Sequence, residues 1–312
     1  MLETWVVGAD GLVGGILADA FDGCRRVVFR SPLAGEVALD TWSGSIREPS
    51  LIVNSSGFSV HPGLGEADYF RSHVDVSRRI AEQAPRGSIF LHVSSAAVYG
   101  GDTSRRIGPE TGDAPDTFHV PEYARAKLAS EAAVRATCKQ RGVSLVVLRP
   151  STLYRPGGRS MFQTFARFAR RGVALRILPR DARHHFCGGR LFGAVARAAV
   201  ARARAGVEDA TYAVADPFTF TNRDVEAEMR SRAGRPLVPL PLPLGFVSRA
   251  LRRGPRSSRA ALDLRGRGNL LGYLTLDIAY DGATALRSLG LDAAPFGRDH
   301  ELARTLDAVL PR

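Results

Sequence analysis

Tyr123 and Lys127 stand four residues apart in Tyr123-Ala124-Arg125-Ala126-Lys127, which puts a phenol and an ammonium on one face of a helix. A tyrosine at its ordinary pKa of about 10 is a poor base at neutral pH, and a neighbouring cation stabilises the phenolate. A shift of ~3 units needs about 4 kcal/mol of differential interaction, so such a pair can pass a proton to and from a substrate oxygen. A surface tyrosine and lysine can share this spacing by accident. Composition weighs against accident, because all but two of the 43 basic residues are arginines and Lys127 is one of the two lysines.

Two further stretches carry chemistry. Ser94-Ser95-Ala96-Ala97-Val98-Tyr99-Gly100 follows the apolar run Ile89–Val93 and sets hydroxyls at a strand C-terminus. Gly8-Ala9-Asp10-Gly11-Leu12-Val13-Gly14 is a GxxGxxG turn between an apolar run, Thr4–Val7, and a helical pattern, Leu12–Phe21. In such a turn Gly8 permits the tight bend, Gly11 lets a pyrophosphate approach the backbone, and Gly14 lets helix and strand pack closely. The phosphates then rest on the positive end of the helix, beside Leu12 and Val13.

The elements that must position these residues alternate. Apolar runs at Arg26–Phe29, Glu36–Leu39, Leu51–Val53, Ile89–Val93 and Leu145–Leu148 read as strands, and Tyr69–Gln83 and Glu122–Gln140 as helices. Strands apolar on both faces and separated by helices predict a doubly wound parallel sheet of the Rossmann type, with ligands beyond the strand C-termini. The sequence divides into a dinucleotide-binding domain over 1–150 and a smaller α/β substrate lobe over 151–312, interleaved with the end of the sheet. In that lobe the expected helices are 161–171, 191–205, 222–233, 281–289 and 301–310, with a strand at 211–214. The Pro-rich 236–243 is left without an element, and 252–268 reads as a mobile surface loop.

Together, Gly8–Gly14, Ser94–Gly100, Tyr123–Lys127 and Leu148-Arg149-Pro150-Ser151-Thr152-Leu153-Tyr154-Arg155-Pro156-Gly157 resemble the extended short-chain dehydrogenase/reductase superfamily, in particular its NAD(P)-dependent epimerase/dehydratase group. The last stretch is similar to that group's LRPxxxYGPG signature, with Arg155 where a glycine usually stands. The resemblance implies that Ser95 orients a carbonyl, that Tyr123 is the acid/base, and that Lys127 holds the nicotinamide ribose and lowers the tyrosine pKa. It also implies cofactor contacts at Asp40, near the adenine, and in the turn holding Ser55. Arg183-His184-His185-Phe186 matches the segment where an Arg and an aromatic line the substrate pocket, so Arg155 and Arg183 are candidates for holding a substrate diphosphate. Departures include His73, near where many relatives carry an Asn, and Asn54-Ser55-Ser56-Gly57 in place of an Ala-rich turn.

Cofactor choice is read at the end of the second strand, where an acidic residue would bind the ribose hydroxyl of NAD. Here Arg30-Ser31 offers a cation and a small hydroxyl, which suits the 2′-phosphate of NADP; a solvated Arg30 leaves NAD open.

The remaining features are blander. The net charge of +12 comes from scattered arginines without zinc-finger or RNA-binding motifs, so nucleic acid is not expected. His184, His185 and Cys187 lack metal-ligand spacing, and no metal is expected. No apolar run spans a membrane, no signal peptide is read, and three scattered cysteines suit a reduced, cytoplasmic protein. Residues 244–253 read as a surface helix.

The expected function is oxidation–reduction of a secondary alcohol or ketone on a nucleotide-linked sugar, by ketoreduction or epimerisation. Ala96-Ala97 after Ser95 lacks the acidic pair of the family's 4,6-dehydratases. One alternative keeps the chemistry with an apolar polycyclic or polyketide ketone, prompted by Leu242–Phe246. Another is an NADP-sensing protein without turnover. A homodimer fits family habit.

Overall fold

The computed structural model describes residues 2–29, 32–33, 36–42, 46–61, 63–101, 111–157, 161–245, 274–275 and 278–310. Strands β1 (Glu3–Val7), β2 (Arg25–Val28), β3 (Glu36–Ala38), β4 (Ser50–Asn54), β5 (Ile89–Val93), β6 (Ser144–Pro150) and β11 (Asp209–Val214) form one parallel sheet, in the order β11-β6-β5-β4-β1-β2-β3. The order reverses between β1 and β4, which opens a crevice beyond their C-terminal ends. Gly8 follows β1 there and Ser55 follows β4.

Period-two alternation decides which side chain meets which layer. Val6, Val53, Leu91 and Leu148 point to the side of helices α1 (Leu12–Ala20) and α7 (Gly189–Arg204), packing with Leu17, Leu191 and Phe192. Trp5, Val7, Ile52 and Phe90 point to the other side, against Ile80, Val134 and Trp42, from the helices α4 (Val76–Ala81), α5 (Pro121–Arg141) and α2 (Leu39–Trp42). Both faces are therefore covered, as a parallel sheet requires.

The helix expected over Tyr69–Gln83 is instead three pieces: α3 (Glu66–Phe70), a π-helical turn (Arg71–Asp75) and α4. The turn carries the buried His73, whose ring anchors to the opposite loop and gives the wider turn a tertiary purpose.

Among its described residues the smaller lobe holds three two-stranded pairs: β7 (Thr152–Tyr154) with β10 (Phe186–Gly188), β9 (Arg183–His184) with β12 (Phe220–Thr221), and β8 (Val173–Ile177) with β13 (Val238–Leu242). Its core joins Tyr154, Phe162, Phe186 and Phe220 to Val225, Leu302 and Leu306. Tyr154, Phe186 and Phe220 come from the strand pairs, and Phe162, Val225, Leu302 and Leu306 from α6 (Met161–Ala169), α8 (Asn222–Arg232) and α10 (Arg298–Val309), while α9 (Gly282–Ser288) packs Leu286 on the main core. The Pro-rich 236–243 is thus a strand in part. The loop expected over 252–268 lies outside the described residues, as does all but the start of the helix expected over 244–253. Among the described residues, no helix is long and apolar enough to cross a membrane.

Candidate active site

Gly8 has φ +80, a conformation side chains rarely adopt, and a Cβ there would sit 3.0 Å from Ser55 O. At Gly14 a Cβ would come within 2.0 Å of Gly8 O and 2.7 Å of Ser55 Oγ, so helix and turn touch only because both residues lack side chains. Gly11 caps α1 with extended backbone, no side-chain cap and no acidic residue in the first turn. The first amides of α1, at Leu12 and Val13, therefore face the crevice without an internal anion, which fits a pyrophosphate. Ser55 serves this turn from beneath: its Oγ donates to Val7 O at 2.7 Å and its N–H donates to the same oxygen at 3.0 Å.

Arg26 braces the turn from β2, donating to Ala9 O at 2.9 Å, a contact hidden in sequence because it crosses strands. Arg30 lies outside the described residues. Asp40 falls in α2, beyond β3, on the side of the sheet where β2 and β3 end.

The catalytic candidates meet at the end of β5. Ser95 is half-buried, and its Oγ accepts from Ala97 N at 3.2 Å, opening the 3₁₀ turn Ala96–Tyr99. Tyr123, on the first turn of α5, lies near enough to Ser95 for that side chain to act on its phenol. Burial pushes the phenol up to about 12, while the Ser95 contact pulls it down and Tyr69 adds to the rise. Lys127 is buried one turn further on, with Nζ donating to Val93 O at 3.0 Å and lying 6.0 Å from the Tyr123 ring centre. Burial pushes its ammonium down to about 8, against the pull of Glu131. The expectation that Lys127 lowers the tyrosine pKa therefore takes a different form here. Desolvation dominates both groups, and the hydroxyl that opposes it on Tyr123 belongs to Ser95.

Tyr123 is wedged by two rings. Tyr69 meets it edge-on at 5.6 Å and 77°, and His73 at 5.5 Å and 80°. His73 bonds Phe58 O through Nε2 at 2.9 Å, and burial, with Lys127 adding, lowers its pKa to about 2, so the wedge is a neutral imidazole. That neutral ring lets a histidine sit beside a lysine without repelling it.

Sequence reading missed the network behind these residues. Glu131, one turn past Lys127, accepts from Ser94 Oγ and takes Arg149 Nε at 2.9 Å and Nη2 at 2.7 Å. Arg149 reaches on to Asp113 at 2.7 Å, with its guanidinium 4.8 Å over the Tyr99 ring centre. On a second side, Asn54 Nδ2 contacts His92 Nδ1 at 3.2 Å, His92 Nε2 contacts Ser130 Oγ at 3.0 Å, and Ser130 Oγ donates to Lys127 O at 2.7 Å. Only the i, i+4 spacing of Lys127 and Glu131 signalled any of this.

The substrate-side arginines part company. Arg183 is exposed on β9, in the smaller lobe, with its backbone O accepting from Ile278 N. Arg155 turns to α1, its Nη1 3.1 Å from Asp19 Oδ2 and its guanidinium against Gly15. Its recorded contacts are with helices rather than with Ser95 or Tyr123. His184 and His185 are structural: His184 bonds Asn222 at 2.8 Å, and His185 accepts from Tyr280 N at 2.8 Å through Nδ1 and bonds Asp216 O through Nε2 at 2.5 Å.

A parallel sheet with a glycine turn at its reversal point, and Ser, Tyr and Lys gathered beyond β5, defines a dinucleotide-binding fold of the short-chain dehydrogenase/reductase type. The chain belongs to the NAD dependent epimerase/dehydratase family, whose model matches residues 5–183, more than half of its length. No curated protein matches it by sequence. Similar solved structures include human epimerase family protein SDR39U1, isoform 2, with NADPH (16% identity, TM-score 0.75, 98% of this chain and 99% of that one). Another is UDP-glucuronic acid 4-epimerase from Bacillus cereus in complex with NAD (14%, 0.71, 99% and 98%). A third is MoeE5 in complex with UDP-glucuronic acid and NAD (18%, 0.70, 98% and 98%). At these identities the likeness establishes the fold.

Proposed function

We propose that the protein is an NADP-dependent oxidoreductase acting on a secondary alcohol or ketone of a nucleotide-linked sugar, by net ketoreduction or by epimerisation at one carbon, with NAD as the alternative cofactor. The observation that carries this reading is Tyr123 set close to Ser95 with Lys127 one helical turn away, in a fold that also presents an uncapped α1 N-terminus. Gly8, Gly11, Leu12, Val13 and Gly14 would hold the pyrophosphate, and Lys127 the nicotinamide ribose. When bound, the dinucleotide supplies a hydride donor or acceptor.

The chain's own residues supply the proton. A phenol held near 12 stays protonated at neutral pH, so Tyr123 is poised to donate to a carbonyl oxygen, while Ser95 Oγ fixes that oxygen's position. The rings of Tyr69 and His73 keep the phenol from swinging away. In the oxidative direction Tyr123 must give up its proton first, and the Lys127 ammonium is the nearby charge that favours the phenolate. Exposed Arg183 is suited to a substrate diphosphate through paired charge-assisted bonds.

UDP-sugar and NAD(P) complexes of structural relatives support the substrate class. Of the segment that prompted the apolar-ketone reading, Leu244 is buried and Leu242 half-buried in the core of the smaller lobe, and Phe246 and the basic stretch behind it lie outside the described residues. The test is a panel of UDP- and dTDP-linked sugars and 4-keto sugars with NADP(H) and NAD(H), followed by cofactor absorbance and by NMR for inversion. Turnover of at least one sugar nucleotide is expected. Turnover of apolar ketones alone overturns the substrate class, and binding of dinucleotide without any turnover favours a sensing protein.

A further inference from the structure

On the face that α5 covers, the sheet is apolar through Trp5, Ile52 and Phe90 and turns polar at its last layer before the crevice. There Asn54 and His92 stand side by side in register on β4 and β5, and Val7 of β1 pairs with Asn54. His92 lies two residues beyond Phe90, so its side chain points to the same face, toward Ser130 of α5. Asn54, His92 and Ser130 are all buried.

The hydrogen bonds of this layer run in one direction. Ser56 N donates to Asn54 Oδ1 at 3.0 Å, which turns Asn54 Nδ2 toward His92. An amide nitrogen only donates, so His92 Nδ1 accepts, at 3.2 Å, and the ring proton sits on Nε2. Nε2 donates to Ser130 Oγ at 3.0 Å, and that hydroxyl donates to Lys127 O at 2.7 Å. Burial, with Lys127 and Arg135 adding, lowers the His92 pKa to about 3, so the ring keeps this neutral form.

Lys127 is thus gripped twice from one strand. Its carbonyl is held through Ser130 and His92, and its ammonium by the carbonyl of the next residue, Val93, at 3.0 Å. At the other end the chain of bonds reaches the loop after β4, where Ser55 N–H and Oγ both donate to Val7 O beneath the glycine turn. A buried network with every link made holds one arrangement. The proton transfer itself does not use His92. We infer that His92 is a positioning residue: through Ser130 it sets Lys127 beneath the crevice, in register with the loop that underlies the glycine turn. The inference rests on the reading above, in which Lys127 holds the nicotinamide ribose.

Lys127 and Lys139 are the only lysines of the chain and Lys139 is exposed, so lysine labelled with ¹³C at Cε gives two resonances, one of which Lys127→Met identifies. The test follows the Lys127 resonance through the alkaline range, beside titration with dinucleotide. In the parent Lys127 should titrate at about 8. His92→Leu should release the lysine toward water and move that midpoint up by about one pH unit or more. Dinucleotide affinity should fall about threefold to tenfold, part of what a hydrogen bond from a charged group contributes. His92→Gln, whose amide can accept from Asn54 and donate to Ser130, should recover most of both. In the Lys127→Met background His92→Leu should add nothing to the loss of affinity. Glu131 and the neutral His73, which also bear on Lys127, are untouched by these changes. Thermal unfolding shows which variants fold, and Ser130→Ala, which deletes one hydroxyl and suits a helix, replaces His92→Leu should that variant not fold.

A Lys127 midpoint at its parent value in the folded variants overturns the inference. So does a loss in His92→Leu that His92→Gln does not recover, or one that persists undiminished in the Lys127→Met background. A moved midpoint with dinucleotide affinity unchanged in every variant, Lys127→Met included, upholds the positioning and overturns the ribose role of Lys127 instead.

Discussion

Replacing Lys127 with methionine is expected to leave the protein at least as stable as the parent while removing its activity. Lys127 is buried, and its ammonium is pushed from 10.5 down to about 8, mainly by desolvation. At ~1.36 kcal/mol per pKa unit this is a burden of about 3 kcal/mol on the folded state whenever the lysine is charged. Methionine removes that burden but leaves Val93 O without its 3.0 Å donor, which returns about 1–2 kcal/mol. The net gain is about 1–2 kcal/mol. With ~2.1 cal/mol/K of unfolding entropy per residue, a chain of 312 residues gains about 2–3 °C in Tm. The pH dependence is sharper. Below pH 8 the lysine is charged in both states; between 8 and 10.5 the unfolded chain alone holds the proton; above 10.5 neither does. Stability therefore rises with pH through that window in the parent and lacks this component in Lys127→Met. The measurement is calorimetric unfolding of both proteins from pH 7 to 10.5, taking the difference so that the raised Tyr123 and Cys138 titrations cancel. A variant that melts several degrees lower at pH 7, with a parent–variant difference flat across the window, refutes the reasoning.

Glu131→Gln breaks a buried pair with Arg149 and should cost about 3–5 kcal/mol, or about 5–8 °C in Tm, by calorimetry. Gly14→Ala drives a methyl against Gly8 O and Ser55 Oγ, so it should lose about 1–3 kcal/mol of stability and at least about tenfold in dinucleotide affinity by titration. Arg30→Ala should weaken NADP about 10- to 150-fold and leave NAD nearly unchanged; equal small effects would place Arg30 away from the 2′-phosphate, and tighter NAD than NADP in the parent would refute the NADP choice.

The main sheet was legible because its central strands are apolar on both faces, as Leu51-Ile52-Val53 and Val146-Val147-Leu148 are, and because glycines and prolines mark the ends. The smaller lobe was not, and β13 shows why. Val238-Pro239-Leu240-Pro241-Leu242 reads as a strand breaker, yet Val238 N–H donates to Gly172 O, and the prolines fall at the intervening positions. An edge strand tolerates Pro wherever no ladder donor is needed. The positions of Ser95, Tyr123 and Lys127 were readable because their spacing is local to one turn and one helix. Their environment was not local. Arg149 finds Glu131 18 residues away and Asp113 36 residues away, and nothing short-range encodes that meeting. The orientation of Arg155 was likewise beyond sequence, since its guanidinium could turn to the substrate crevice or to α1, and Asp19 and Gly15 decide it.

Tyr123→Phe tests the central claim most directly. The substitution removes one hydroxyl and keeps the ring that Tyr69 and His73 hold, so the fold and the glycine turn should be untouched. Steady-state turnover should fall by ~10²–10⁴-fold, the scale of general acid help, while dinucleotide affinity measured on the same preparation stays within about twofold. Turnover within a few-fold of the parent, with the cofactor still bound, would contradict the assignment of Tyr123 as the proton donor.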